Sequence, residues 1–125
     1  MNKKEIGHKY EDKAADYLEE NGFIVLERNF RCRQGEIDLI GLHENCLVFV
    51  EVKYRKNVSA GAPEEAVGQA KQSKICMVSD YYRMTHPQSG GRQIRYDVIA
   101  ICGDRITWYR NAFSYHRKGR GGASW

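Results

Sequence analysis

The sequence predicts an α/β domain: one helix, three strands, a second helix and two further strands, built around one mixed sheet. Three observations predict it. Apolar residues recur at helical spacing in one stretch near the start and another past the middle of the chain. Between and after these stretches lie short β-rich runs separated by turn signals. The 125 residues, 42% hydrophobic and 29% charged, suffice for one packed core and leave little room for a second.

The first helix is expected over Ile6 to Asn21, where Ile6, Tyr10, Ala14, Tyr17 and Leu18 share one face. Asn21-Gly22 is its stop, with Gly22 suited to the left-handed cap. Phe23 to Phe30 reads as a strand and Arg31 to Gly35 as a basic turn. Glu36 to His43 and Cys46 to Tyr54 read as two strands of a hairpin turning at Glu44-Asn45. Residues 56–63 are loop-like, and Pro63 followed by Glu64-Glu65 suits a helix start. That helix is expected from about Glu64 to Met84, with Ala66, Val67, Ala70, Met77, Val78 and Tyr81 facing the core. After a turn-rich stretch, 85–93, come a strand from Ile94 to Cys102, a turn at Gly103-Asp104, and a strand from Arg105 to Tyr109. Residues 1–113 form the expected domain, and 114–125 a basic tail without periodicity, expected to be mobile.

Composition excludes several classes. No apolar run reaches the length of a membrane span, and no apolar stretch follows the N-terminal basic residues as in a secretory signal. A cytoplasmic location is the expectation. The net charge is +4, with residues 91–125 contributing +5, which suits a polyanionic partner and equally a solubilising tail. Cys32, Cys46, Cys76 and Cys102 have no metal-ligand spacing and read as small hydrophobes in a reducing compartment. The histidines are scattered and none is given a role.

The hairpin carries the chemistry. A turn at Glu44-Asn45 makes partner numbers sum to 89, so Asp38 faces Glu51, Glu36 faces Lys53 and Ile40 faces Phe49 on one side of the sheet. Ile37 and Leu39 are expected on the other side with Val52 and Val50. Two carboxylates across a ladder repel. A shared proton, a cationic side chain or a metal ion relieves this. Hard oxygen ligands suit Mg²⁺ or Mn²⁺, and metal-assisted attack of water on a phosphodiester is the chemistry that follows. A buried ion network of Asp38, Glu51 and Lys53 is the structural alternative.

G-E-I-D-L-I followed by F-V-E-V-K resembles the D…(D/E)-X-K signature of the restriction-endonuclease-like PD-(D/E)XK superfamily, with Ile37 where a proline usually stands. The strings G-H-K-Y-E-D-K-A-A-D-Y-L, E-R-N-F-R-C-R-Q-G-E-I-D-L-I, F-V-E-V-K-Y-R, A-K-Q-S-K-I, R-Y-D-V-I-A-I and R-N-A-F extend the likeness over residues 7 to 113. Together they resemble the small bacterial YraN-like family, which is placed near the archaeal Holliday junction resolvases. The resemblance implies a restriction-endonuclease-like core and a Mg²⁺- or Mn²⁺-dependent nuclease acting on DNA, branched or damaged forms included. It implies that Asp38 and Glu51 bind metal, that Lys53 orients the attacking water, and that Glu11 completes the metal site. Glu36, Lys71 and Gln72 would support these residues from behind. Taken alone, Glu11 lies about 100° from Tyr10 around the helix and reads as a solvated glutamate. Lys71 alone reads as a helix-surface lysine.

Arg31, Arg33, Arg55 and Lys56 cluster at the strand ends beside the carboxylates, where they would hold flanking phosphates. Arg92, Arg95, Arg110, Arg117, Lys118 and Arg120 are candidates to extend that surface, while Trp108 and Tyr109 read as packing residues. A non-catalytic nucleic-acid-binding module of the same fold is the second hypothesis, and a protein-interaction role the third. Symmetric cutting of two strands would require a homodimer.

Overall fold

In the computed structural model the chain is described over residues 3–55 and 67–117. Helix α1 (Lys3–Glu20) is followed by β1 (Ile24–Cys32), β2 (Gly35–His43) and β3 (Cys46–Tyr54). Helix α2 (Gln69–Thr85), a single 3₁₀ turn (Pro87–Ser89), β4 (Gln93–Cys102) and β5 (Arg105–Phe113) complete it. The strands form one five-stranded sheet in the order β1-β2-β3-β4-β5. Every neighbouring pair is antiparallel except the central pair, β3 with β4, which α2 connects. The expected element order and mixed sheet are therefore present.

The helices lie on opposite faces, so the sheet separates two cores. Beneath α1, Ala14, Ala15, Leu18 and Phe23 pack against Leu39, Val48, Val50, Ile99 and Ile101. Beneath α2, Ile75, Cys76, Val78 and Tyr82 pack against Ile37, Ile40, Leu47, Phe49, Tyr96 and Val98. Helix α1 ends as expected: Gly22 takes φ 89°, the Phe23 N–H donates to the Leu18 carbonyl at 3.0 Å and the Gly22 N–H to that of Glu19 at 3.3 Å. These are the two bonds of a Schellman motif, with Phe23 returning to the core that holds Leu18.

The β2–β3 hairpin turns at Glu44 and Asn45, both left-handed at φ 50° and 69°, as a type I′ turn requires. Its register runs from His43↔Cys46 to Leu39↔Val50, the expected sum. Gly41 is needed within it, because a Cβ there would lie 2.2 Å from both the Ile24 carbonyl oxygen and the Phe23 ring.

Several expectations need correction. Ile37 does not share a face with Leu39: Ile37 packs under α2 and Leu39 under α1. Arg31 and Cys32 extend β1 rather than forming a turn, and β5 continues to Phe113. Val67 and Gly68 precede α2, whose first bond is Gln72 N–H to the Gly68 carbonyl, while residues 64–66 lie outside the described residues. The phase of α2 also differs. Ala70 and Tyr81 are exposed, whereas Gln72, Ser73 and Ser79 are buried. Ser79 Oγ lies 2.7 Å from the buried Tyr96 hydroxyl and donates to the Cys76 carbonyl, so its polar atom is fully satisfied inside. Of the expected tail, residues 115–117 make contacts with α2. Tyr115 donates to Asp80 at 2.8 Å, Arg117 lies 3.8 Å from Asp80, and His116 Nε2 meets Gln72 Oε1 at 2.9 Å.

Candidate metal and nucleic-acid site

The β2–β3 ladder stops one rung short of the two carboxylates. Beyond Leu39↔Val50 the strands part, and the Asp38 carboxylate takes over as hydrogen-bond partner of β3: Val52 N–H donates to Asp38 Oδ2 at 2.8 Å. Asp38 and Glu51 thus meet through their side chains at the divergence. Glu51 is 7% exposed and projects toward α2, in phase with Phe49 and Leu47. Lys53, two residues further on the same side, holds its Nζ 3.9 Å from Glu51 Oε2, and Lys71 of α2 comes to 3.7 Å of the same oxygen.

Glu11 reaches the group from α1. Its neighbours are Asn29 of β1, Asp38, Glu36 and His8, and its Oε1 is buried without a hydrogen-bond partner. Tyr10 stacks on Tyr54 with ring centroids 4.2 Å apart, which pins this part of α1 to the end of β3. Glu36 stands beside the cluster but pairs with Arg31 at 3.3 Å rather than with Lys53.

The electrostatics are those of crowded acids. Burial, then the adjacent Glu51 charge, pushes the Asp38 carboxyl up to about 7, against the opposing pull of the Val52 amide. Burial also raises Glu11, with the neighbouring Asn29 side chain opposing the shift and Asp38 adding to it. Among the described residues no three His, Cys, Asp or Glu side chains converge as a ready-made metal cage. The donor set still fits a small hard cation: it consists of carboxylate oxygens, one of them buried and unpartnered. Mg²⁺ commonly uses one or two carboxylates and keeps several waters.

Of the expected site residues, Asp38, Glu51, Lys53, Glu11, Glu36 and Lys71 come together at this end of the sheet. Gln72 does not join them. Its amide donates to the Val67 carbonyl at 2.8 Å and meets His116, bracing the start of α2. Arg31, near the end of β1, and Arg33, in the β1–β2 turn, are exposed, and Arg55 follows β3 with its N–H on the Ile101 carbonyl at 2.8 Å. Lys56, Lys118 and Arg120 lie outside the described residues. Arg95 is no surface cation: its side chain is 11% exposed and grips the fully buried Asp97, with Nε and Nη2 each 2.9 Å from a carboxylate oxygen. Asp97 also accepts from Trp108 Nε1 at 2.8 Å and from the Asn111 N–H at 2.9 Å, so Trp108 is a packing residue as expected. Arg110 stacks over the Trp108 ring at 4.2 Å. Sequence reasoning missed Asn29. The signal available was an asparagine, tolerant of left-handed backbone, interrupting a β-rich run.

The model of the uncharacterised protein family UPF0102 matches residues 10–101, which span all of these acids and both lysines. The chain is 44% identical over 113 residues to a UPF0102 protein of Lachnoclostridium phytofermentans, covering 90% of this chain and 96% of that one. A UPF0102 protein of Cytophaga hutchinsonii is 46% identical over 96 residues, covering 77% and 83% of the two chains. One from Alcanivorax borkumensis is 40% identical over 116 residues, covering 89% and 93%. With a match of this extent along the helix, the hairpin and the central strands, the chain belongs to the UPF0102 family.

Proposed function

We propose that this chain is a divalent-cation-dependent nuclease of the restriction-endonuclease-like superfamily, acting in the cytoplasm on phosphodiester bonds of DNA. The reading is carried by one observation: the Asp38 and Glu51 carboxyl groups crowd together where β2 leaves β3, with burial and the Glu51 charge driving Asp38 toward its protonated form. Asp38, Glu51 and Glu11 would hold Mg²⁺ or Mn²⁺. Bound there, the cation supplies Lewis acidity toward the phosphate and a water of lowered pKa.

The chain's own groups do the rest. The Lys53 ammonium donates to the attacking water and offsets charge gathering on the scissile phosphate. Lys71 contributes positive charge from the α2 side. Arg31, Arg33 and Arg55, with Lys56, hold phosphates on either side of the cut. The Arg31–Glu36 pair orients the first of these guanidinium groups. Paired cuts in two strands would take a two-fold dimer of such chains.

The alternative is a nucleic-acid-binding module without catalysis. It draws on Lys53 and Lys71, which already set two ammonium groups near Glu51. Linear, single-stranded, flapped and four-way DNA incubated with Mn²⁺ separates the two readings. We expect cleavage by wild type, none by Asp38→Asn or Glu51→Gln, and a Lys53→Ala protein that loses cleavage more than Mn²⁺ affinity. Binding of the DNA panel with no Mn²⁺-dependent cleavage would favour the module.

A further inference from the structure

Tyr54 closes β3, and its side chain follows Val48, Val50 and Val52 onto the face beneath α1. There it meets Tyr10, the residue before Glu11 on α1, in a parallel stack with an angle of 18° between the rings. The stack runs outward to the surface. Tyr10 is half-buried, whereas Tyr54, with Tyr10 over one side, remains 42% exposed. Packing alone does not call for this ring, since an aliphatic side chain would cover Tyr10 and leave less apolar area in water. Cations border the pair. Lys13 Nζ stands 5.8 Å from the Tyr10 ring centroid, and Lys53 and Arg55 flank Tyr54 in the strand. A ring held flat at the surface among cations is the make-up of single-strand sites, where bases stack on aromatics while cations follow the phosphates.

Both rings are also indexed to the acids. Tyr10 adjoins Glu11 on α1, and Tyr54 adjoins Lys53 on β3, whose Nζ lies 3.9 Å from Glu51. We propose that Tyr54, seated on Tyr10, is a stacking platform for an unpaired nucleobase close to the scissile phosphate. The substrate class is then DNA with a flap or an unpaired nucleotide at the cut. A base inside a duplex has its faces covered by neighbouring bases and gains nothing from the ring. The place beside a cut rests on the nuclease reading, and the stacking does not.

Tyr54→Phe keeps the ring and Tyr54→Leu removes it. A flapped duplex carries 2-aminopurine, whose fluorescence falls on stacking, at each flap position in turn, and is bound with chelator present. Wild type and Tyr54→Phe should quench one position near the junction, and Tyr54→Leu should not. Tyr54→Leu should bind the flapped DNA about 5- to 100-fold more weakly, with its affinity for plain duplex within about twofold of wild type. Equal quenching by Tyr54→Leu, an equal loss on flap and duplex, or no binding of flapped DNA by wild type overturns the proposal. Should Tyr54→Leu not fold, wild type is offered flaps with one abasic position each. A loss of the same size at a single position near the junction supports the platform, and equal affinity for all of them overturns it. Cleavage with Mn²⁺ is scored separately. Quenching that depends on Tyr54 without any cleavage keeps the platform and sinks the nuclease reading, and cleavage without such quenching does the reverse.

Discussion

Asp38 is pulled in two directions. The Val52 N–H favours its carboxylate, while burial and Glu51 favour its acid and prevail, moving the pKa from 3.8 to about 7. A carboxyl whose folded pKa is raised contributes stability fully present below its unfolded pKa and lost as pH rises through the folded one. The window here runs from 3.8 to about 7. Asp38→Asn removes the titration and keeps an oxygen for the Val52 N–H. With chelator present it should be more stable than wild type at about pH 8, by roughly 1–3 kcal/mol, and the gain should vanish near pH 4. Urea midpoints at the two pH values check this; an equal gap at both would refute it. At the same scale, Asp97 is a carboxylate whose charge is fully met, by Arg95, Trp108 and the Asn111 N–H. Asp97→Ala leaves the Arg95 guanidinium buried without its carboxylate, and should cost about 3–5 kcal/mol in the same measurement.

Strands and helices were legible to different degrees. The β2–β3 register followed from a two-residue turn and strict alternation, and the structure reproduces it from His43↔Cys46 to Leu39↔Val50. The stop before Asp38 was not legible, because there the Asp38 side chain takes the place of a backbone partner for the Val52 N–H, which alternation alone does not display. The phase of α2 was misread for a related reason. Gln72 and Ser79 are buried by virtue of partners distant in the chain, His116 and Tyr96, which no local pattern displays. The placement of Lys71 against Glu51 came from the family likeness and not from spacing, since α2 meets β3 only through the tertiary fold. Gly41 tests how tightly α1 is registered on the sheet. Gly41→Ala drives a methyl into Phe23 and the β1 backbone, and should lower stability by about 1–3 kcal/mol or more. A melting temperature equal to wild type would show that β1 and Phe23 can retreat together.

Seen whole, the molecule gathers its acids from three elements and its lysines from two: Glu11 from α1, Asp38 from β2, Glu51 and Lys53 from β3, Lys71 from α2. The basic residues flanking this end predict salt-dependent DNA binding. Arg33→Ala should reduce the slope of log affinity against log salt by about one. Arg31→Ala should reduce it by less, because Glu36 already offsets that charge. Equal slopes for Arg33→Ala and wild type, by fluorescence anisotropy at graded salt, would remove Arg33 from the interface. The capped end of α1 has a consequence for chain length. Gly22 halts the helix at one azimuth, and Glu11 precedes it by eleven positions, close to three full turns. Deleting a single residue between them would swing the glutamate by about 100° while leaving the helix intact, so insertions and deletions there should be far less tolerated than substitutions.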